Sequence, residues 1–191
     1  DDYIAVEYEA DGTGITYDDT CIKVLTEKGK REHKTLTRSF TFPFTESSFG
    51  VVQVIKPDGT VIPVDLEKQS AVMVDRGQMG SNIYNPNSKE LSVTIPELEI
   101  GDLVRYVAKT VQMKARVPDT FSDYQLFEYT DPIMHYTYVV DGPKVLPLRS
   151  IILKDEVPGT VTHVEREEGE RIIHTWEVTD VPRVYSEPKM P

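Results

Sequence analysis

The chain has 191 residues, 39% of them hydrophobic and 28% charged, which is the composition of a folded globular protein rather than a disordered one. Its 21 basic and 32 acidic side chains leave a formal net charge of −11, which repels phosphate backbones and argues against nucleic acid as a partner. A single cysteine, Cys21, rules out an internal disulfide, and no apolar run is long enough for a membrane-spanning helix.

The predicted elements begin with YIAVEYEA, where Ile4, Val6, Tyr8 and Ala10 share one side of a two-residue period. That is the alternation of a strand with one buried face. The turn Ala10-Asp11-Gly12-Thr13-Gly14 leads into a second strand, ITYDDTCIKVL, which Glu27-Lys28-Gly29-Lys30 ends. LTRSFTFPF alternates through Phe40, Phe42 and Phe44, and VVQVI and VIPVDL flank Lys56-Pro57-Asp58-Gly59-Thr60. Proline presets φ for such a turn, and Asp-Gly tolerates the positive φ that follows. Residues 70–90 are polar, rich in Gly and Asn and without a period, and predict a long irregular loop over one end of the fold.

ELSVTI resumes the alternation with Leu91, Val93 and Ile95, and Pro96 ends it because proline cannot donate to a ladder. Gly101 supplies positive φ, Asp102 can bond its own backbone in the turn, and Glu97, Glu99 and Asp102 read as solvated loop acids. A second irregular stretch, 115–132, carries Tyr124, Phe127 and Tyr129, whose main expected use is packing over a sheet. Asp141-Gly142-Pro143 and Glu167-Glu168-Gly169-Glu170 punctuate the last third, around RIIHTWEV with Ile172, His174, Trp176 and Val178 on one face. Short alternating runs joined by tight turns predict an all-β antiparallel sandwich around one core. It would span 1–182 as a single domain, with 183–191 as a linker.

Chemistry-bearing residues are scattered. His33, His135, His163 and His174 have neither a His-x-x-x-His spacing nor cysteine partners, so zinc lacks its usual ligand pattern. His174 reads as a hydrogen-bonded core histidine that can face His163 across the Glu168-Gly169 turn. Carboxylates flank Cys21 and oppose a thiolate, and no G-x-S-x-G elbow or glycine-rich phosphate loop occurs. Asp11, Asp18 and Asp19 could converge on calcium, although ADGTG is mainly turn chemistry. No cofactor is expected, and a hydrolytic acid pair does not rise above the background of 32 acids.

A ligand site would need exposed aromatics beside hydrogen-bonding groups. Tyr84 with Asn82, Asn85 and Asn87, or Tyr124 with Asp123 and Tyr129, could bind a glycan or peptide. An exposed sheet edge recruiting a peptide strand is a variant of the same reading.

Three segments, taken in order, carry a resemblance: IKPDGTVIPVD (55–65), SVTIPELEIGDLVRYVAK (92–109) and WEVTDVPRVYSEPKMP (176–191). The chain resembles the uncharacterised domain found directly N-terminal to transglutaminase-like domains in exported bacterial proteins, common among Bacteroidetes. The matching positions are Pro57, Asp58, Gly59, Pro96, Leu98, Gly101, Asp102, Tyr106, Trp176, Pro182, Glu187, Pro188, Met190 and Pro191; Ile95 stands where the family more often has an aromatic. The resemblance implies an immunoglobulin-like β-sandwich and a periplasmic or secreted location. It also implies that any catalysis belongs to a Cys-His-Asp transglutaminase-like domain of the same polypeptide. The expected role is a non-catalytic accessory or positioning module, and the alternative is a free-standing carbohydrate- or peptide-binding sandwich.

Overall fold

The computed structural model describes residues 1–80, 84–153 and 159–185. In chain order the elements are β1 (Asp2–Tyr8), β2 (Gly14–Lys23), α1 (Glu27–His33), β3 (Thr35–Thr41), β4 (Thr45–Ile55), β5 (Val61–Pro63) and α2 (Leu66–Gln69). There follow β6 (Ser70–Val74), a 3-10 turn (Arg76–Gly80), β7 (Ser88–Thr94), β8 (Leu103–Gln112), β9 (Ile133–Pro143), β10 (Thr162–Glu168) and β11 (Arg171–Val181). Glu27-Lys28-Gly29-Lys30 does end β2, but it does so as the first turn of a short helix. The Thr26 hydroxyl caps that helix by accepting from the Gly29 N–H at 3.0 Å.

Two sheets form the expected all-β sandwich. The larger has the order β10-β11-β9-β1-β2-β8-β4-β5, the smaller β3-β7-β6. Pairing is antiparallel except between β1 and β9, which run parallel. Residues 70–90 are only partly the loop that composition suggests. Ser70–Val74 is a strand paired with β7, because SAVMV has the β-branched content a half-buried edge accepts.

Register sorts the large sheet into two faces, since partners opposite one another project to the same side. One face carries two apolar clusters rather than the single core expected. The first gathers Phe49, Val52 and Val54 of β4 and Val104 and Ala108 of β8 beneath Leu36, Leu91 and Val93 of the small sheet. The second gathers Val6 and Tyr8 of β1, Tyr136, Tyr138 and Val140 of β9, and Trp176 and Val178 of β11.

Among the described residues no second sheet covers that second cluster; irregular chain does. Phe121 stacks on Tyr8 with ring centroids 4.0 Å apart, and Phe127 meets Tyr136 edge-on at 5.0 Å. The Tyr8 hydroxyl donates to the Leu146 carbonyl at 2.6 Å. Stretch 115–132 thus covers the cluster through Phe121 and Phe127, whereas Tyr124 and Tyr129, also expected to pack, are exposed. Between the clusters lies a polar seam on β2, where buried Asp18 accepts from Thr20 and ion-pairs with Arg38 of β3. The Arg38 guanidinium lies over the Tyr106 ring, 5.6 Å from its centroid.

Candidate functional site

Strand alternation separates the residues once grouped for calcium. Asp18 lies on the covered face against Arg38, while Asp19, one position on, faces outward in a two-point pair with Arg105 at 2.9 and 2.7 Å. Asp11 is spent within its own turn, accepting from the Thr13 N–H and hydroxyl. The three cannot meet at one ion, and no cluster of three or more His, Cys, Asp or Glu among the described residues is arranged to hold a metal.

Two of the fingerprint segments come together at one joint. Pro57, Asp58 and Gly59 form the β4–β5 turn, with Gly59 at φ 86 and the Lys56 N–H donating to the Thr60 carbonyl at 2.8 Å. Gly101 adopts φ 97, and a Cβ built on it would lie 3.4 Å from the Pro57 ring. Asp102 is not a solvated loop acid: it is 1% exposed, takes the Lys56 ammonium at 2.8 Å and accepts the Glu99 N–H at 2.8 Å. Glu97 and Glu99 are exposed as expected, with Glu99 paired to Lys30 at 2.6 Å. Tyr106 packs edge-on against Phe49, Trp176 lies in the second cluster, and Pro182 is exposed just after β11. Glu187 and Pro188, like Asn82, lie outside the described residues.

His174 is buried and hydrogen-bonded, as expected: its Nδ1 lies 3.2 Å from His163 Nε2. Their centroids are 5.4 Å apart with planes 12° from parallel. Two ring radii and the nitrogen-to-nitrogen gap account for nearly all of that distance, so the imidazoles meet edge to edge in one line. His163 also lies flat on Trp176 at 4.5 Å, and the Glu165 carboxylate stands 3.6 Å from His174. Burial lowers the His174 pKa, with Glu165 opposing and His163 assisting.

Of the ligand candidates, Tyr84 is exposed, while Asn85 is occupied in its loop. Its N–H donates to Gln78 and its side-chain oxygen accepts from the Asn87 N–H. Tyr124 is 72% exposed, but its neighbour Asp123 accepts the buried Tyr138 hydroxyl at 2.6 Å. Tyr129 is half-exposed, and burial of its hydroxyl raises its pKa. Among the described residues no hydrogen bond or ring contact joins the Tyr84 loop to Tyr124 or Tyr129, so they do not form a common site.

The uncovered face of the large sheet holds a groove that strand reading passed over. Cross-strand register sets one row as Val139, Ala5, Tyr17 and Lys109. The row beside it runs Thr137, Tyr3, Asp19 and Val107, and on the other side come Arg166, Ile173, Asp141 and Glu7. Small Ala5 makes the low point of a depression of about 200 Å³ among Tyr3, Tyr17, Glu7, Asp141 and Arg166. Tyr3 and Tyr17 are 48% and 42% exposed. The signal in the sequence was their position out of phase with the core-facing Ile4, Val6 and Tyr8.

The fold and these sites define an all-β two-sheet module with a solvent-facing groove. The chain belongs to a family described as a domain of unknown function with solved structure, DUF3857, which matches residues 10–185. A candidate protease from Parabacteroides distasonis shares the fold over 100% of this chain, with TM-score 0.80 and 15% identity. The present chain covers 37% of that longer one. A family 3a carbohydrate-binding module from a Clostridium thermocellum scaffolding protein aligns over 59% of this chain and 76% of its own at 10% identity. Its TM-score of 0.27 is too low to carry an argument. No curated protein matches the chain.

Proposed function

We propose that this chain is a non-catalytic accessory module of an exported bacterial transglutaminase-like or protease-like protein, acting to position or shield the catalytic domain. The observation that carries the reading is the match of the whole chain to 37% of a longer candidate protease at TM-score 0.80. Recurrence of this fold as a minor part of a longer candidate protease supports a role beside the remainder of such a chain. The chemistry supports the same reading. His174 is buried beside Trp176, Cys21 has no catalytic partner in the hydrogen bonds of the described residues, and Asp11, Asp102 and Asp19 are engaged in turns and ion pairs.

The test has two arms. Incubation of the purified chain with casein and glutamine-donor peptides is expected to yield no hydrolysis or cross-linking. Mixing with the transglutaminase-like domain of the same polypeptide is expected to give a complex by calorimetry and a changed KM. Turnover by the isolated chain would overturn the non-catalytic reading, and absence of both complex and kinetic effect would overturn the positioning role. Periplasmic or secreted placement belongs to this proposal and is checked by fractionation of the source cells.

A further inference from the structure

The outward groove has features that an ordinary solvated sheet face lacks. Antiparallel sheets with one wet face alternate apolar-in and polar-out, yet here Tyr3, Ala5, Tyr17, Val139 and Ile173 all sit on the wet side. Ile173 is 8% exposed on that face, shielded by the residues around it. Lys109 approaches the Tyr17 ring from the β8 side, 5.7 Å from its centroid, and the β1 side of the ring borders the groove. Among the described residues neither the Tyr3 nor the Tyr17 hydroxyl has a hydrogen-bond partner.

The polar rim offers both donors and acceptors. Among the described residues Arg166 is held only by Glu168 of its own strand, at 3.4 Å and mostly exposed, so its guanidinium has donors to spare. Asp141 is neutralised by Arg171 at 2.5 Å, whereas Glu7 stands 3.8 Å from Arg171 and keeps acceptor capacity. The groove lies inside the sheet, between strands whose backbone groups are already paired, so a peptide cannot dock there by strand addition. Two carboxylates on the rim and a net charge of −11 disfavour an anionic ligand. A flat apolar surface with free hydroxyls, one donor fork and one acceptor matches a ring with an apolar C–H face and a hydroxyl perimeter.

We propose that this groove binds a neutral sugar ring of a glycan, with Tyr3 and Tyr17 as stacking surfaces and Arg166 and Glu7 as hydroxyl partners. The site is independent of the accessory role, which concerns a protein partner and has its own readouts.

The experiment is a titration of the isotope-labelled chain, followed by amide NMR, with soluble cello-, xylo-, manno- and chito-hexaose. At least one of these neutral probes is expected to saturate, with shifts centred on β1, β2 and β9. Tyr3→Ala and Tyr17→Ala should each weaken that binding tenfold or more, and Arg166→Gln should weaken it measurably while leaving the amide spectrum folded. Tyr84→Ala and Tyr124→Ala should leave affinity unchanged. Absence of groove shifts with all four probes would overturn the assignment. So would unaltered binding in the Tyr3 and Tyr17 variants, or loss of binding in the Tyr84 or Tyr124 variant. Concentration-dependent shifts at the groove without sugar would assign the face to self-association instead and equally overturn it.

Discussion

Lys56 and Asp102, 46 positions apart, form an ion pair of 2.8 Å that locks the β4–β5 turn onto the turn entering β8. Lys56 also donates to the Glu97 carbonyl at 3.1 Å, so one ammonium ties together both sides of that joint. The carboxylate is satisfied twice, by this ammonium and by the Glu99 N–H, which is the condition under which a buried charge is tolerated.

Removing one partner should therefore be costly. Asp102→Ala is expected to lower unfolding free energy by about 3 kcal/mol, the lower end for a broken buried pair because Lys56 retains some solvent contact. The paired replacement Lys56→Met with Asp102→Leu should recover at least half of that loss. Urea unfolding of the two single variants and the double variant measures the coupling; additive losses would show that the pair is not a unit.

Gly142 faces a different constraint, that of space. A Cβ there would lie 2.1–2.2 Å from Cζ, Cε1 and the hydroxyl oxygen of Tyr8, whose phenolic end crosses the glycine. Gly142→Ala should displace Tyr8 from its stack on Phe121 and its bond to Leu146, costing about 2 kcal/mol as overpacking. In a Tyr8→Ala background the same substitution should be nearly neutral. A thermal-melt cycle on the four proteins distinguishes this from a backbone effect.

Protonation of His174 sets an acid limit. Burial holds its folded pKa below the ordinary value of 6.5, so the unfolded chain takes a proton that the native state resists. Its contribution to stability is full above 6.5 and falls with pH through the window between 6.5 and the lower folded value. Melting temperature should drop across that window, and His174→Gln should flatten the slope. Trp176 is the sole tryptophan, and the His174 ring lies 5.6 Å from it, so its emission should fall over the same range as a separate readout.

Glu97 occupies φ 53, a left-handed conformation that disfavours residues with a Cβ. Glu97→Gly is expected to be neutral or to stabilise by up to about 1 kcal/mol, because relief of that strain competes with glycine's larger loss of chain entropy. Lys56 binds the backbone carbonyl at this position, so its bond survives the substitution. Glu97→Val should destabilise; chemical denaturation of both variants decides the matter.

Much of the architecture was legible residue by residue. Ile4, Val6 and Tyr8, or Leu91, Val93 and Ile95, announce strands because side-chain direction alternates along any extended chain whatever its neighbours. Pro57-Asp58-Gly59 and Gly101-Asp102 announce turns because proline and glycine act through their own φ. His174 as a bonded core histidine and Phe127 as a packing residue also followed, whereas Tyr124 and Tyr129, read the same way, remain exposed. The helix at Glu27 was missed because its cap is a single threonine and none of its residues is buried. The strand at Ser70 was missed because its partner lies beyond a Gly- and Asn-rich stretch that masks it.

What the sequence alone determined, then, was local: where strands run, where they turn, and which family fingerprint they spell. Tertiary structure alone decided which strands adjoin. Parallel pairing of β1 with β9 brings Ala5 beside Val139, and β9 with β11 brings Asp141 beside Ile173, assembling the groove from residues more than a hundred positions apart. It likewise buried Asp102, which looks like any turn acid until Lys56 reaches it. Short-range rules act on neighbours in the chain, whereas burial and ion pairing depend on neighbours in space, and only closure of the long-range sheet selects those.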